Sequence, residues 1–78
     1  MLLHVTDARY QEGYKIWIRF DDGTEGTVDL ESELKGPVFE PLKDPETFRQ
    51  FHVDRITKTI VWANGADLAP EFLRAKVA

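Results

Sequence analysis

The stretch Tyr14-Lys15-Ile16-Trp17-Ile18-Arg19-Phe20-Asp21-Asp22-Gly23-Thr24-Glu25-Gly26-Thr27-Val28-Asp29-Leu30 decides the fold. Tyr14 to Phe20 and Thr24 to Leu30 alternate with the two-residue period of strands, and Asp21-Asp22-Gly23 between them is a turn signal. Two loop geometries compete. A two-residue Asp22-Gly23 loop sets Ile16 opposite Asp29 and Ile18 opposite Thr27, which spoils both faces. A three-residue loop with Gly23 in the left-handed conformation instead sets Phe20 opposite Thr24, Ile18 opposite Gly26, Ile16 opposite Val28 and Tyr14 opposite Leu30. That register gives one apolar face. The other face then pairs Arg19 with Glu25 and Lys15 with Asp29, and places Trp17 across from Thr27. Exposed ion pairs contribute only a few tenths of a kcal/mol each, but a one-residue slip loses them together with the apolar face. The three-residue loop is therefore expected.

Before the hairpin, Leu3 to Tyr10 is a weakly alternating strand followed by a turn at Gln11-Glu12-Gly13. After it, Glu31-Ser32-Glu33-Leu34 makes one helical turn with Asp29 as cap, ended by Lys35-Gly36-Pro37. Val38-Phe39-Glu40-Pro41-Leu42 is apolar at alternate positions, and its two flanking and internal prolines restrict it to an extended edge or loop. Asp44-Pro45-Glu46 starts a short helix that carries Phe48 and leads to Phe51 one turn on. Phe51 to Val53 and Thr59 to Trp62 read as two strands around an Asp54-to-Lys58 turn. Asn64-Gly65 is a further turn. From Asp67, Leu68, Phe72, Leu73 and Val77 at helical spacing predict a terminal helix with Pro70 in its first turn, fraying at Ala78.

The fold class is thus α+β: a small antiparallel sheet of hairpins with two short helices, one in the middle of the chain and one C-terminal. The 78 residues are too few for a second core, so 1–78 is expected to be a single domain. A chain of this size buries only about 60% of its unfolded surface, which predicts marginal stability and a gain from a partner. With no cysteine, disulfides, thiolate chemistry and cysteine-based zinc sites are excluded. The apolar stretches, such as Thr59 to Ala66, are too short to span a bilayer, and Met1-Leu2-Leu3-His4 has no basic region or long apolar run. A cytoplasmic protein is expected. The net charge of −4, with ten Lys and Arg scattered among fourteen acids, argues against autonomous nucleic-acid binding.

No residue pattern points to catalysis, a cofactor or a metal. His4 and His52 are far apart and lack further ligands at metal-binding spacing, and Asp21-Asp22-Gly23 lacks the alternate acids and distant glutamate of a calcium loop. Ser32 lies in an acidic turn without the glycine-flanked elbow of a nucleophile. Asn64-Gly65-Ala66-Asp67 is the most suggestive polar cluster: a capped turn by its composition, or a small-ligand site using Asn64, Gly65 and Asp67 near Trp62 and His52. Trp62 alternates with Ile60 and is assigned to the core. Trp17, by contrast, falls on the polar face beside Lys15 and Arg19. It is either covered by the C-terminal helix or a neighbouring strand, or presented to a partner.

Three motifs occur in the order found in one bacterial family: Phe20-Asp21-Asp22-Gly23-Thr24 with Gly26 and Val28-Asp29-Leu30; Gly36-Pro37-Val38-Phe39-Glu40-Pro41-Leu42; and Val61-Trp62-Ala63-Asn64-Gly65-Ala66-Asp67-Leu68. Over nearly its whole length the chain resembles the short proteins called domain of unknown function 2442, departing at Ala63, where that family frequently has proline. The resemblance implies a small α+β domain with an antiparallel sheet and carries no catalytic residues over. It also implies gene pairs that look like toxin and antitoxin modules, and longer relatives in which a helix-turn-helix domain follows this one. The chain ends before such an extension, so DNA binding is expected only through a partner.

Two functions follow as expectations. One is a non-enzymatic protein-interaction module, the acidic half of a toxin-antitoxin-like pair, which binds a small protein partner through Trp17, Arg19 and Lys15 or by strand addition at a free sheet edge. The other is a small-ligand-binding or weakly catalytic domain using the Asn64-to-Asp67 turn. A homodimer is a third arrangement.

Overall fold

A computed structural model describes residues 2–77; the fraying expected at Ala78 lies outside them. Gly23 sits at φ +87°, the Phe20 N–H donates to the Thr24 carbonyl at 2.8 Å, and the Leu30 N–H donates to the Tyr14 carbonyl at 2.9 Å. These bonds close the three-residue loop. Between them strand β2 (Lys15–Phe20) pairs with β3 (Glu25–Asp29) in the expected register, Ile16 facing Val28, Trp17 facing Thr27 and Ile18 facing Gly26. Strand β1 (Val5–Glu12) flanks β2 on the other side, giving the order β1-β2-β3. It begins and ends two residues later than the Leu3-to-Tyr10 alternation suggested. Register shifts between Val5 and Asp7 and between Tyr10 and Glu12 interrupt its period, and the turn falls at Gly13-Tyr14.

The inner face of this sheet is covered by everything that follows. Glu31–Glu33 forms one 3-10 turn, and Asp29 Oδ1 accepts the Glu31 N–H at 3.0 Å. The 37–43 region is not extended: after turn residues it forms a second 3-10 turn, Glu40–Lys43, with Pro41 at its start. The fixed φ of proline suits a first helical turn as well as an extended chain, and the burial of Leu42 in the core selects the helical option. Helix α1 (Pro45–Phe48) follows, then the two-stranded ribbon β4 (His52–Val53) and β5 (Ile60–Val61), and helix α2 (Pro70–Lys76). Helix α2 begins three residues later than its apolar spacing suggested, because Asp67 is engaged in a bridge with Val61.

One cluster of buried side chains joins the parts: Ile16, Ile18, Phe20 and Val28 from the sheet, Leu30, Leu34 and Leu42 from the connection, and Phe48, Ile60, Trp62 and Leu73 from the cover. Phe48 is its centre. Tyr14 meets its ring edge-on at 5.1 Å between centroids, and Trp62 lies 5.8 Å away. The Trp62 indole N–H donates to the Phe48 carbonyl at 2.8 Å, so the buried polar atom is satisfied. Gly26, lacking a side chain, leaves a seat for Val77 at the end of α2; a Cβ there would stand 2.7 Å from Val77 Cγ1.

Two substitutions separate the constraint of the loop from that of the core. Gly23→Ala is expected to lower stability by about 1–2 kcal/mol through backbone strain alone, whereas Phe48→Ala should cost about 3–5 kcal/mol and leave the chain largely unfolded. Urea unfolding followed by circular dichroism measures both.

Candidate functional site

Among the described residues no element covers the outer face of the three-stranded sheet, where Arg9, Lys15, Arg19, Glu25, Thr27 and Asp29 are exposed. Trp17 lies at its centre, opposite Arg9 on β1 and Thr27 on β3. It is half-buried, under side chains of its own face: the Arg19 guanidinium stands 5.2 Å from the indole centroid and that of Arg9 5.6 Å. The C-terminal helix does not cover it, since Leu73 and Val77 of that segment pack on the inner side. Each arginine is held in turn by an acid. Arg19 Nε donates to Glu25 Oε2 at 3.1 Å, and Arg9 approaches Asp7 at 3.6 Å. The expected Lys15–Asp29 pair is replaced by a looser contact of Lys15 with Glu12 at 4.0 Å. Attraction of a cation to an indole face contributes about 0.5–1 kcal/mol at exposed sites. The result is a pre-ordered platform of one large aromatic ring and two guanidinium groups, the residue types that dominate protein interfaces.

The Asn64–Asp67 turn is arranged differently. Asn64 Oδ1 accepts the Ala66 N–H at 3.1 Å and Nδ2 donates to the Val38 carbonyl at 2.9 Å. Gly65 takes φ +90° and donates its N–H to the Trp62 carbonyl at 3.0 Å. The Asn64 amide thus closes this turn through its oxygen and ties it to the segment after Gly36 through its nitrogen, and Asp67 pairs with Val61. His52 is exposed on β4, opposite the same Val61 that bridges Asp67.

A shallow groove of about 300 Å³ was not legible in the sequence. It lies where the Val5 N–H donates to the Lys58 carbonyl at 2.8 Å and the Asp21 N–H donates to the His4 carbonyl at 2.9 Å. His4 Nδ1 stands 3.2 Å from Asp21 on one wall, with Asp54, Arg55 and Lys58 on the other. Its members are gathered by long-range pairing, for which local spacing gives no signal. Among the described residues no group of three or more His, Cys, Asp or Glu side chains is placed to hold a metal.

Three carboxyls sit below their usual range. Asp54 is lowered chiefly by the Thr57 and Ile56 backbone N–H groups that its Oδ2 accepts at 2.7 and 2.8 Å. Asp22 is lowered by the Thr24 N–H, and Glu33 by the Lys76 ammonium at 3.0 Å. Asp54 and Asp22 stabilise turns, Asp22 also ties α2 to the hairpin loop through Arg74, and Glu33 ties α2 to the 3-10 turn after β3.

The geometry defines a small α+β domain with one covered and one bare sheet face. The chain belongs to the family described as protein of unknown function (DUF2442), whose pattern it matches over residues 5–78. A solved structure of the same fold is that named Putative DNA Binding Protein NE0471 from Nitrosomonas europaea, at a TM-score of 0.73 and 24% identity. The match takes in 99% of this chain and 47% of that one, so the chain spans about half the length of this neighbour. No curated protein matches the chain. Among the described residues no helix is long and apolar enough to cross a membrane.

Acid should loosen the turns. Because folding lowers the pKa of Asp22, Glu33 and Asp54, their stabilisation is fully present above the ordinary carboxylate pKa of about 4 and is lost as pH falls through the lowered values. Thermal unfolding midpoints are expected to drop as the pH is taken below about 4, and Asp54→Asn should flatten part of that drop.

Proposed function

We propose that this chain is a cytoplasmic, non-enzymatic protein-interaction module, the acidic partner of another small protein in a toxin-antitoxin-like pair. The observation that carries this is the bare outer sheet face, where Trp17 is held between Arg9 and Arg19. A monomer gains little from ordering an indole there, whereas a partner that desolvates it gains the burial of a large ring. Supporting it, the most suggestive polar turn already spends its Asn64 amide on the chain itself.

The name of the solved neighbour refers to DNA, and this chain corresponds to about half of that protein. Here Arg9, Arg19, Arg49 and Arg74 are each paired with an acid, and the net charge is −4. Phosphate neutralisation by this chain alone is therefore weak. Any DNA contact would come through the partner.

Co-expression with the product of the adjacent gene, followed by size-exclusion chromatography, is expected to give a joint peak; separate elution at micromolar concentration would defeat the proposal. Trp17→Ala should weaken the complex about 30-fold while changing the unfolding free energy by no more than about 2 kcal/mol. In a gel-shift assay at physiological salt, the chain alone should leave duplex DNA unretarded.

A further inference from the structure

The two edges of the three-stranded sheet are not alike. At β1 the Val5 N–H is taken by the Lys58 carbonyl, the Ala8 N–H is taken by Asp7 Oδ1 at 2.8 Å, and register shifts interrupt the strand. That edge is blunted. On β3 the bonds from Phe20 to Thr24 and from Leu30 to Tyr14 fix which residues face β2. By antiparallel alternation the backbone groups of Glu25, Thr27 and Asp29 point away from it. Among the described residues none of those outward groups has a hydrogen-bond partner, and all three side chains are exposed. An edge of this kind is a template for another strand.

The charges on this edge select what can pair with it. Self-pairing of two copies antiparallel about Thr27 would set Glu25 of each against Asp29 of the other, like charges directly opposite. Asp29 and the adjacent Glu31 have no cationic partner among the described residues, and Glu25 shares only Arg19. A second copy is thus repelled and a basic strand is drawn in. We infer that the β3 edge receives a strand from another protein carrying Lys or Arg at two positions four residues apart, with an apolar residue midway. The two cations lie beside Glu25 and Asp29. The middle residue lies across from Thr27 and leans toward the Trp17 indole on the same row, so strand and platform form one continuous surface. This identification of partner chemistry rests on the interaction function proposed above.

The probe is an end-capped seven-residue peptide, Thr-Lys-Thr-Val-Thr-Lys-Thr, with its lysines four residues apart and valine midway on the same face, titrated into the whole chain labelled with nitrogen-15. The amide signals of Glu25, Thr27 and Asp29 are expected to shift and to exchange more slowly with solvent, and the same peptide with glutamate for lysine should leave them unmoved. Thr27→Pro removes an outward N–H that the β2–β3 ladder does not use, so the variant is expected to fold and to weaken lysine-peptide binding at least about tenfold. Its thermal unfolding curve checks the first point; should it fail to fold, the peptide N-methylated on alternate amides supplies the same test from the other side. Equal binding of both peptides, shifts confined to other surfaces, or concentration-dependent self-association through β3 would each overturn the inference. A co-purified partner that survives Thr27→Pro but not Trp17→Ala would overturn it too, while leaving the interaction function standing. Peptide capture at β3 with no complex on co-expression would support the edge and remove that function.

Discussion

A single backbone bond, from the Phe20 N–H to the Thr24 carbonyl across a loop that Gly23 closes at φ +87°, determines which side of the sheet is which. Side chains alternate along a strand, so moving that bond by one residue would set Asp29, Thr27 and Glu25 beside Ile16, Ile18 and Phe20 on the core face and turn Val28 outward. The cost of burying two unpaired carboxylates greatly exceeds any gain from a different loop. The position of Gly26 depends on the same bond. Only in this register does its missing side chain face inward, where Val77 uses the space.

The cover of the sheet is short of regular structure and is held instead by aromatic packing and by single polar groups used economically. Helix α1 and strands β4 and β5 are too brief to be stable alone. Phe48, however, brings together rings from the β1–β2 turn and from the segment after β5, and Thr59 Oγ1 donates to the Leu68 carbonyl at 2.5 Å. The Tyr14 hydroxyl likewise donates to the Lys43 carbonyl. Arg74 with Asp22 and Lys76 with Glu33 then attach α2 at either end of β3. With its inner face filled this way, the sheet can leave its outer face bare and remain ordered.

The hairpin was legible in the sequence because alternation and a glycine at the turn agree, and only one register satisfies both. Strand β1 was legible as a strand but not in its limits, since register shifts break the period that would have located them. The 3-10 turn at Glu40–Lys43 was misjudged because proline's φ is common to extended and helical chains; the decision rests on Leu42 reaching the core, a tertiary fact. For the surface, the placement of Trp17 among charges followed from pairing, and so did its contact with Arg19. Arg9 was missed because its position opposite Trp17 depends on the irregular strand. The groove at His4, Asp21 and Lys58 was invisible, for its walls are separated by more than thirty residues of chain.

The two tryptophans occupy opposite surroundings: Trp62 is 3% exposed with its N–H bonded inside the core, and Trp17 is half-open between guanidinium groups. The molecule therefore contains two optical reporters that can be read apart. Blue-shifted emission from Trp62 follows the integrity of the interior, while a neutral quencher such as acrylamide reaches the half-open Trp17 first and registers occupation of the outer face without any added label.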